Sequence, residues 1–228
     1  MAGAGDTERV IEVPPQGLPA GPGEAAHYAS LAADPRVARV LVPASLLQAR
    51  VDGLAAAIAR DLAAAPALTV LVVLKGAFCF AKDLGERLFA HGAPPVRYEF
   101  LKAVTYGAGI KGSGENARRV RLQLKPAGLR GRDVLLVEDL VDQAFTLSRL
   151  RALLEQEGLR SLRLCVLAEK VLAAPSPAVQ KLREGLRPDY VGFRLPDVWI
   201  AGYGIDAGED FRNLPCLVAV NEAHYRRG

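Results

Sequence analysis

Apolar residues between Pro43 and Pro66 recur at three- and four-residue steps: Leu46, Leu47, Val51, Leu54, Ala55, Ile58 and Leu62. That period places them on one stripe of an α-helix, which Pro66 closes. Leu68 to Leu74 is a nearly continuous apolar run, the pattern of a strand covered on both faces, and it stops at Lys75-Gly76. A second helix is predicted across Phe80, Leu84, Leu88 and Phe89, ending near Gly92 ahead of Pro94-Pro95. Val96 to Thr105 reads as another strand. Gly107, Gly109, Gly112 and Gly114 among polar residues then mark a flexible loop, not a dinucleotide fingerprint. Asp133 to Val137 is the next apolar strand. A helix over 146–157 follows, with Leu147, Leu150, Leu153 and Leu154 on one side, and then a strand from Leu162 to Leu167 that ends at Glu169-Lys170.

Strands alternating with amphipathic helices imply right-handed crossovers. The expected fold is therefore α/β, with a central, mainly parallel sheet flanked by helices. Residues 1–35, rich in Ala, Gly and Pro and without a sustained period, are expected to form a flexible arm. Residues 36–228 then form one domain. From about Asp189 the pattern shortens into β-like pieces with aromatics and turns, suggesting a small irregular hood over the carboxyl ends of the strands, helped by the N-terminal segment.

Composition narrows the function classes. With 228 residues, half of them hydrophobic, the chain can bury a full core. Its longest apolar run, Leu62 to Leu74, is broken by Pro66 and falls short of the roughly 20 residues of a spanning helix, so no membrane segment is expected. The amino terminus reads as an untargeted tail. Cys79, Cys165 and Cys216 lie far apart, without metal-ligand spacing, and their odd number argues against a disulfide framework and for a cytoplasmic setting. A net charge of +4, with Lys and Arg scattered, suits anionic small molecules better than nucleic acid.

In an open α/β sheet, ligands gather beyond the carboxyl ends of the strands, where strand order reverses. The candidate exits are Lys75-Gly76, Glu138-Asp139 and Glu169-Lys170, whose charges suit a polyanion accompanied by a metal. The richest exit runs from Val137 to Thr146, where a strand enters a helix through a short turn that offers backbone N–H groups and a helix dipole to a phosphate. Paired Glu138 and Asp139 can hold ribose hydroxyls or a magnesium shell, and Asp142 can handle a proton. The competing structural reading is that these acids only cap the next helix.

The segment Val134-Leu-Leu-Val-Glu-Asp-Leu-Val-Asp-Gln-Ala-Phe-Thr146 resembles the phosphoribosyl pyrophosphate signature of the hypoxanthine-guanine phosphoribosyltransferases, and the resemblance extends from roughly Arg39 to Asn221. It implies the type I phosphoribosyltransferase fold and a Mg2+-dependent transfer between phosphoribosyl pyrophosphate and a 6-oxopurine base: hypoxanthine, guanine or xanthine. In this likeness Lys75 and Gly76 form the pyrophosphate loop, and Thr105-Tyr106 opens a mobile lid. Glu138 and Asp139 hold the ribose and metal, and Gln143, Ala144, Phe145 and Thr146 form the 5′-phosphate turn. Asp142 accepts the base proton and Lys170 meets the purine O6, although position alone also allows an ordinary surface lysine. Trp199 would stack on the base, where the residues alone also allow core packing. Ile200 would contribute backbone contacts to the base, Asp206 would serve the base and a second magnesium, and Arg212 would grip pyrophosphate. The likeness further implies a homodimer or homotetramer.

The phosphate turn departs from the family pattern, because Gln143, Ala144 and Phe145 stand where Thr-Gly-Lys is more usual. Each charge-assisted hydrogen bond lost there removes about 1.5–3 kcal/mol. The rival class is a nucleotide-binding regulatory homologue without turnover. A nicotinamide-dependent oxidoreductase is disfavoured, since no G-x-G-x-x-G opens the first strand-helix turn.

Overall fold

The computed structural model describes residues 9–21, 23–106, 119–124 and 128–225, with the backbone alone for 103–106 and 119–124. In chain order the elements are β1 (Ile11–Glu12), a 3₁₀ turn (Ala25–Tyr28), α1 (Ala29–Ala33), β2 (Val37–Val42), α2 (Ala44–Asp61), β3 (Leu68–Leu74), α3 (Phe78–Ala90), β4 (Val96–Tyr106) and β5 (Arg119–Leu124). They continue as β6 (Asp133–Val141), α4 (Phe145–Glu155), β7 (Ser161–Val171), α5 (Pro177–Leu186), β8 (Tyr190–Pro196), β9 (Ile200–Ala201), β10 (Leu217–Val220) and α6 (Glu222–Tyr225). The main sheet runs β1-β8-β7-β6-β3-β4-β5 and is parallel except for the β4–β5 pair. A small antiparallel sheet, β2-β10-β9, is the hood. No helix among the described residues is long and apolar enough to cross a membrane.

The predicted helical stripes face the two sides of the sheet. Leu47, Val51, Leu54 and Ile58 of α2 join Phe80, Leu84 and Leu88 of α3 in one apolar cluster over the sheet, while Leu147, Leu150 and Leu154 of α4 fill the other. Each such side chain contributes about 1.5–3 kcal/mol on full burial, so these stripes fix which way the helices turn. Buried Arg50 then pins α2 to β8, its Nε donating to Gly192 O at 3.0 Å and its Nη2 to Val191 O at 2.7 Å.

Within the segment expected to be an arm, described residues 9–21 and 23–35 carry contacts to the rest of the fold. Strand β1 pairs with β8, and Glu24 caps α2 from a distance, accepting from Ser45 N at 3.0 Å, Ser45 Oγ at 2.6 Å and Tyr28 Oη at 2.6 Å. Pro43 has no side-chain donor or acceptor of its own for the helix start, and the Tyr28 hydroxyl accepts from Ala44 N at 2.8 Å. Single anchors of this kind leave no periodic trace. One expectation needs correction: β6 and β7 outlast their apolar runs, to Val141 and Val171, so Glu138, Asp139, Glu169 and Lys170 lie within strands. Ladder bonds depend on the backbone, which continues whatever side chains it carries.

Candidate active site

Along the chain, β4 is added on one side of β3 and β6 on the other, so strand order reverses between β3 and β6. A cavity of about 390 Å³ opens there, lined by Gly76 and the continuous run Glu138–Thr146 together with apolar neighbours. The Leu74–Lys75 peptide is cis. A Cβ on Gly76 would lie 1.7 Å from Asp139 Oδ2, and one on Gly204, where φ is 99°, would lie 2.1 Å from Gly76 O. Only glycines permit both approaches. They bring the loop after β3, the end of β6 and the run after β9 into contact.

Among the described residues neither Glu138 nor Asp139 is ion-paired. Glu138 Oε1 accepts from Asp139 N at 3.2 Å, and Asp139 Oδ1 accepts from Leu140 N at 2.8 Å. Burial, then the Asp139 charge, pushes the Glu138 carboxyl well above its ordinary range. A bound cation would reverse that penalty, and neighbouring hard oxygen donors fit magnesium.

Val141 ends β6, and Ala144 turns the chain into α4 in the left-handed region with φ 65°. The start of α4 thus faces the cavity with its positive dipole end. Exposed Asp142 pairs with Lys170 on β7, Oδ2 to Nζ 3.3 Å, and Lys170 itself is buried. The expected proton acceptor and the expected O6 ligand are therefore neighbours, 28 residues apart in sequence.

The hood supplies a second charged group. Arg212 Nη1 donates to Gly204 O at 2.9 Å, while Nη2 meets Asp206 Oδ1 at 2.7 Å and Glu209 Oε2 at 3.3 Å. Lys75 Nζ reaches the same Glu209 carboxylate at 3.2 Å. Lys75, expected to bind pyrophosphate, and Arg212, expected to do the same, are thus gathered by one acid. Asp206 is engaged by Arg212 and accepts from Glu209 N at 3.0 Å.

Other expected positions fall differently. Ile200 is buried in β9 opposite Ala219, leaving its backbone as the polar contribution. Trp199 is half-buried, packs on the hood core and meets Tyr225 with ring centroids 4.9 Å apart. Thr105 and Tyr106 close β4 against β5, and their side chains, like the glycine-rich stretch 107–118, lie outside the described residues. Gln143, Ala144, Phe145 and Thr146 line the cavity.

Residues that pattern reading passed over also shape the site. Tyr203 Oη donates to Asp83 Oδ2 at 2.5 Å, tying the glycine run after β9 to α3, and Gln48 joins them from α2 with Nε2 2.8 Å from Asp83 Oδ2. Glu209 carried no motif signal, and neither did Arg183 of α5, whose guanidinium reaches the ends of both β6 and β7.

A parallel sheet with its cavity at the switch point, a glycine-lined loop against paired acids and a helix start facing the same cavity form the arrangement of an α/β protein that takes a phosphorylated ligand. The sequence model of the phosphoribosyl transferase domain matches residues 43–207. The hypoxanthine-guanine phosphoribosyltransferase of Dictyostelium discoideum is 33% identical over 79% of this chain and 94% of its own length. The hypoxanthine phosphoribosyltransferase of Salmonella typhimurium is also 33% identical, over 77% of this chain and 91% of its own. Among solved structures, a hypoxanthine-guanine phosphoribosyltransferase from Bacillus anthracis superposes with TM-score 0.66 at 31% identity, covering 82% of this chain and 98% of that one. A Trypanosoma cruzi hypoxanthine phosphoribosyl transferase gives 0.71 at 29%, covering 84% and 95%. The chain belongs to the phosphoribosyl transferase family, in its hypoxanthine-guanine phosphoribosyltransferase branch.

Proposed function

We propose that this protein is a purine salvage enzyme that joins a 6-oxopurine base, hypoxanthine or guanine or both, with xanthine as the third candidate, to phosphoribosyl pyrophosphate and releases pyrophosphate. The observation that carries this reading is the Asp142–Lys170 pair beside the Gly76–Asp139 contact at the switch point. In this reading a proton acceptor, a cation for O6 and a ribose-holding acid stand at the ends of two neighbouring strands.

In this reading the 5′-phosphate lies at the turn Gln143–Thr146 and the start of α4, and Glu138 and Asp139 orient the ribose hydroxyls. Lys75 and Arg212 hold the diphosphate; the Glu138-Asp139 pair would hold one magnesium and Asp206 would serve a second, and the metal neutralises diphosphate charge when bound. A purine ring nitrogen forms the new bond to the anomeric carbon as the bond to the diphosphate oxygen breaks, its electron pair leaving with pyrophosphate. Asp142 takes the proton from the purine nitrogen, and Lys170 stabilises the charge at O6. Ile200 offers its backbone to the base edge, and Trp199 lies next along the chain to stack on the ring. A cytoplasmic setting and assembly as a homodimer or homotetramer belong to the same reading; Cys79, Cys165 and Cys216 are all free.

The test is a steady-state assay of hypoxanthine, guanine and xanthine in parallel, with magnesium present and absent. Monophosphate formation that requires magnesium is the expected result. Tight nucleotide binding without any product would overturn the catalytic reading in favour of a regulatory homologue.

A further inference from the structure

Strands β6 and β7 are registered up to the pair Val141↔Glu169. The next residue on each strand is Asp142 and Lys170, the two side chains that the proposed reaction needs at a fixed spacing. Past that last rung the strands diverge: β7 continues alongside β8, with Lys170 opposite Leu195, while β6 bends into the turn before α4. At this point the guanidinium of Arg183 bridges the gap. Its Nη1 donates to the carbonyl oxygens of Asp142 and, at 3.4 Å, Val141; its Nη2 donates to Lys170 O at 2.6 Å.

We propose that Arg183 is a positioning residue, whose planar fork takes the place of the absent rung and holds the main chain of Asp142 and Lys170 at the separation that brings their side chains to 3.3 Å. The inference rests on the functional reading above. A guanidinium presents its donors in one rigid plane, so two nitrogens bonded to carbonyls on different strands fix the distance between those strands; an ammonium is a point donor on a flexible stem. The Arg183 guanidinium is engaged by main-chain oxygens of both segments, so it acts through them. The helix that carries it is firmly begun. Ser176 caps α5 by accepting from Val179 N at 3.3 Å, with Pro177 at the first position, and Leu182 and Leu186 pack onto the α4 side of the core. Asp142 is exposed, and its main-chain carbonyl is the handle by which its position is set.

Misplacing a reacting group by about 1 Å costs on the order of 10²-fold in rate, with far less effect on ground-state binding. The experiment compares wild type with Arg183→Met, Arg183→Lys and Arg183→Ala. Arg183→Met is expected to stay folded by circular dichroism, to keep KM for base and phosphoribosyl pyrophosphate within about threefold, and to lose about ten- to hundredfold in kcat. Arg183→Lys should recover only part of the loss, and methylguanidinium added to Arg183→Ala should restore turnover in a saturable way. An undiminished kcat in folded Arg183→Met, or a loss seen only in melting temperature and insensitive to methylguanidinium, overturns the role. A wild-type chain that transfers no phosphoribosyl group overturns the functional reading, and this inference falls with it; active wild type with equally active Arg183→Met overturns the inference alone.

Discussion

Gly76 and Asp139 touch so closely that a Cβ on the glycine would lie 1.7 Å from the Asp139 Oδ2 atom. The loop leaving β3 and the acid near the end of β6 are therefore set against each other by the lack of a side chain. Gly76→Ala must push Asp139 away or reopen the loop toward Gly204. We expect an overpacking cost of about 1–3 kcal/mol and a fall in kcat/KM of at least ~10²-fold. Thermal melting and steady-state kinetics measure the two, and a variant with full activity would remove this contact from the site's design.

Asp142→Asn keeps the shape of the side chain and an oxygen that still accepts from Lys170 Nζ. It cannot take a proton. The fold should survive with little change in melting temperature, while kcat falls about 10²–10⁴-fold and KM changes little. Undiminished turnover would assign the proton to another group.

Ala144 turns the chain into α4 at φ 65°, where a Cβ is strained. Glycine relieves that strain and loses part of the gain to chain entropy in the unfolded state, leaving a net stabilisation of about 0.5–1 kcal/mol. For a chain of this size that is roughly a 1–4 °C rise in melting temperature. Ala144→Gly should also tighten phosphoribosyl pyrophosphate binding, read by titration calorimetry, because the backbone can then approach a phosphate oxygen more closely.

Glu209 holds Lys75 at 3.2 Å and Arg212 at 3.3 Å, the two cations assigned to pyrophosphate. The carboxylate is exposed and competes with any anion for them. Glu209→Gln should bind inorganic pyrophosphate about three- to tenfold more tightly by calorimetry, the range expected for releasing two exposed ion pairs. Equal or weaker binding would mean that Glu209 orients the two cations for the anion instead of competing with it.

Asp133 begins β6 almost fully buried. Burial pushes its carboxyl up, but the Arg160 guanidinium at 2.6 Å and the Ser161 hydroxyl at 2.7 Å outweigh that and hold it below its ordinary value. A carboxyl depressed by folding stabilises the protein above its unfolded value and loses that contribution as pH falls through the folded one. Wild type should therefore lose melting temperature below about pH 4. Asp133→Asn should melt lower at pH 7 and show a shallower decline in acid; parallel curves for the two proteins would contradict this.

Much of the scaffold was legible because burial leaves a local mark. The stripe Leu47, Val51, Leu54, Ile58 and the run Leu68–Leu74 announce which faces are covered, and α2 and β3 appear where those patterns place them. The acids Glu138, Asp139 and Asp142 were visible because they come just after an apolar run. The reach of β6 and β7 past their apolar residues was not, since the ladder is made by backbone atoms. The anchoring of Glu24 was equally silent: it caps a helix by bonding Ser45, 21 residues away, from a segment with no period of its own.

What the sequence by itself determined is the alternation of strands and helices, and with it the edge where charged residues collect, because hydrophobic period is a property of neighbours along the chain. What only the tertiary structure decided is which distant atoms meet there. Lys170 beside Asp142, Glu209 between Lys75 and Arg212, and Arg183 across the ends of β6 and β7 are contacts between separate segments. Each depends on how far helices and sheets must close to exclude water from their apolar faces, a distance set by the packing of the whole core and encoded in no short stretch of residues.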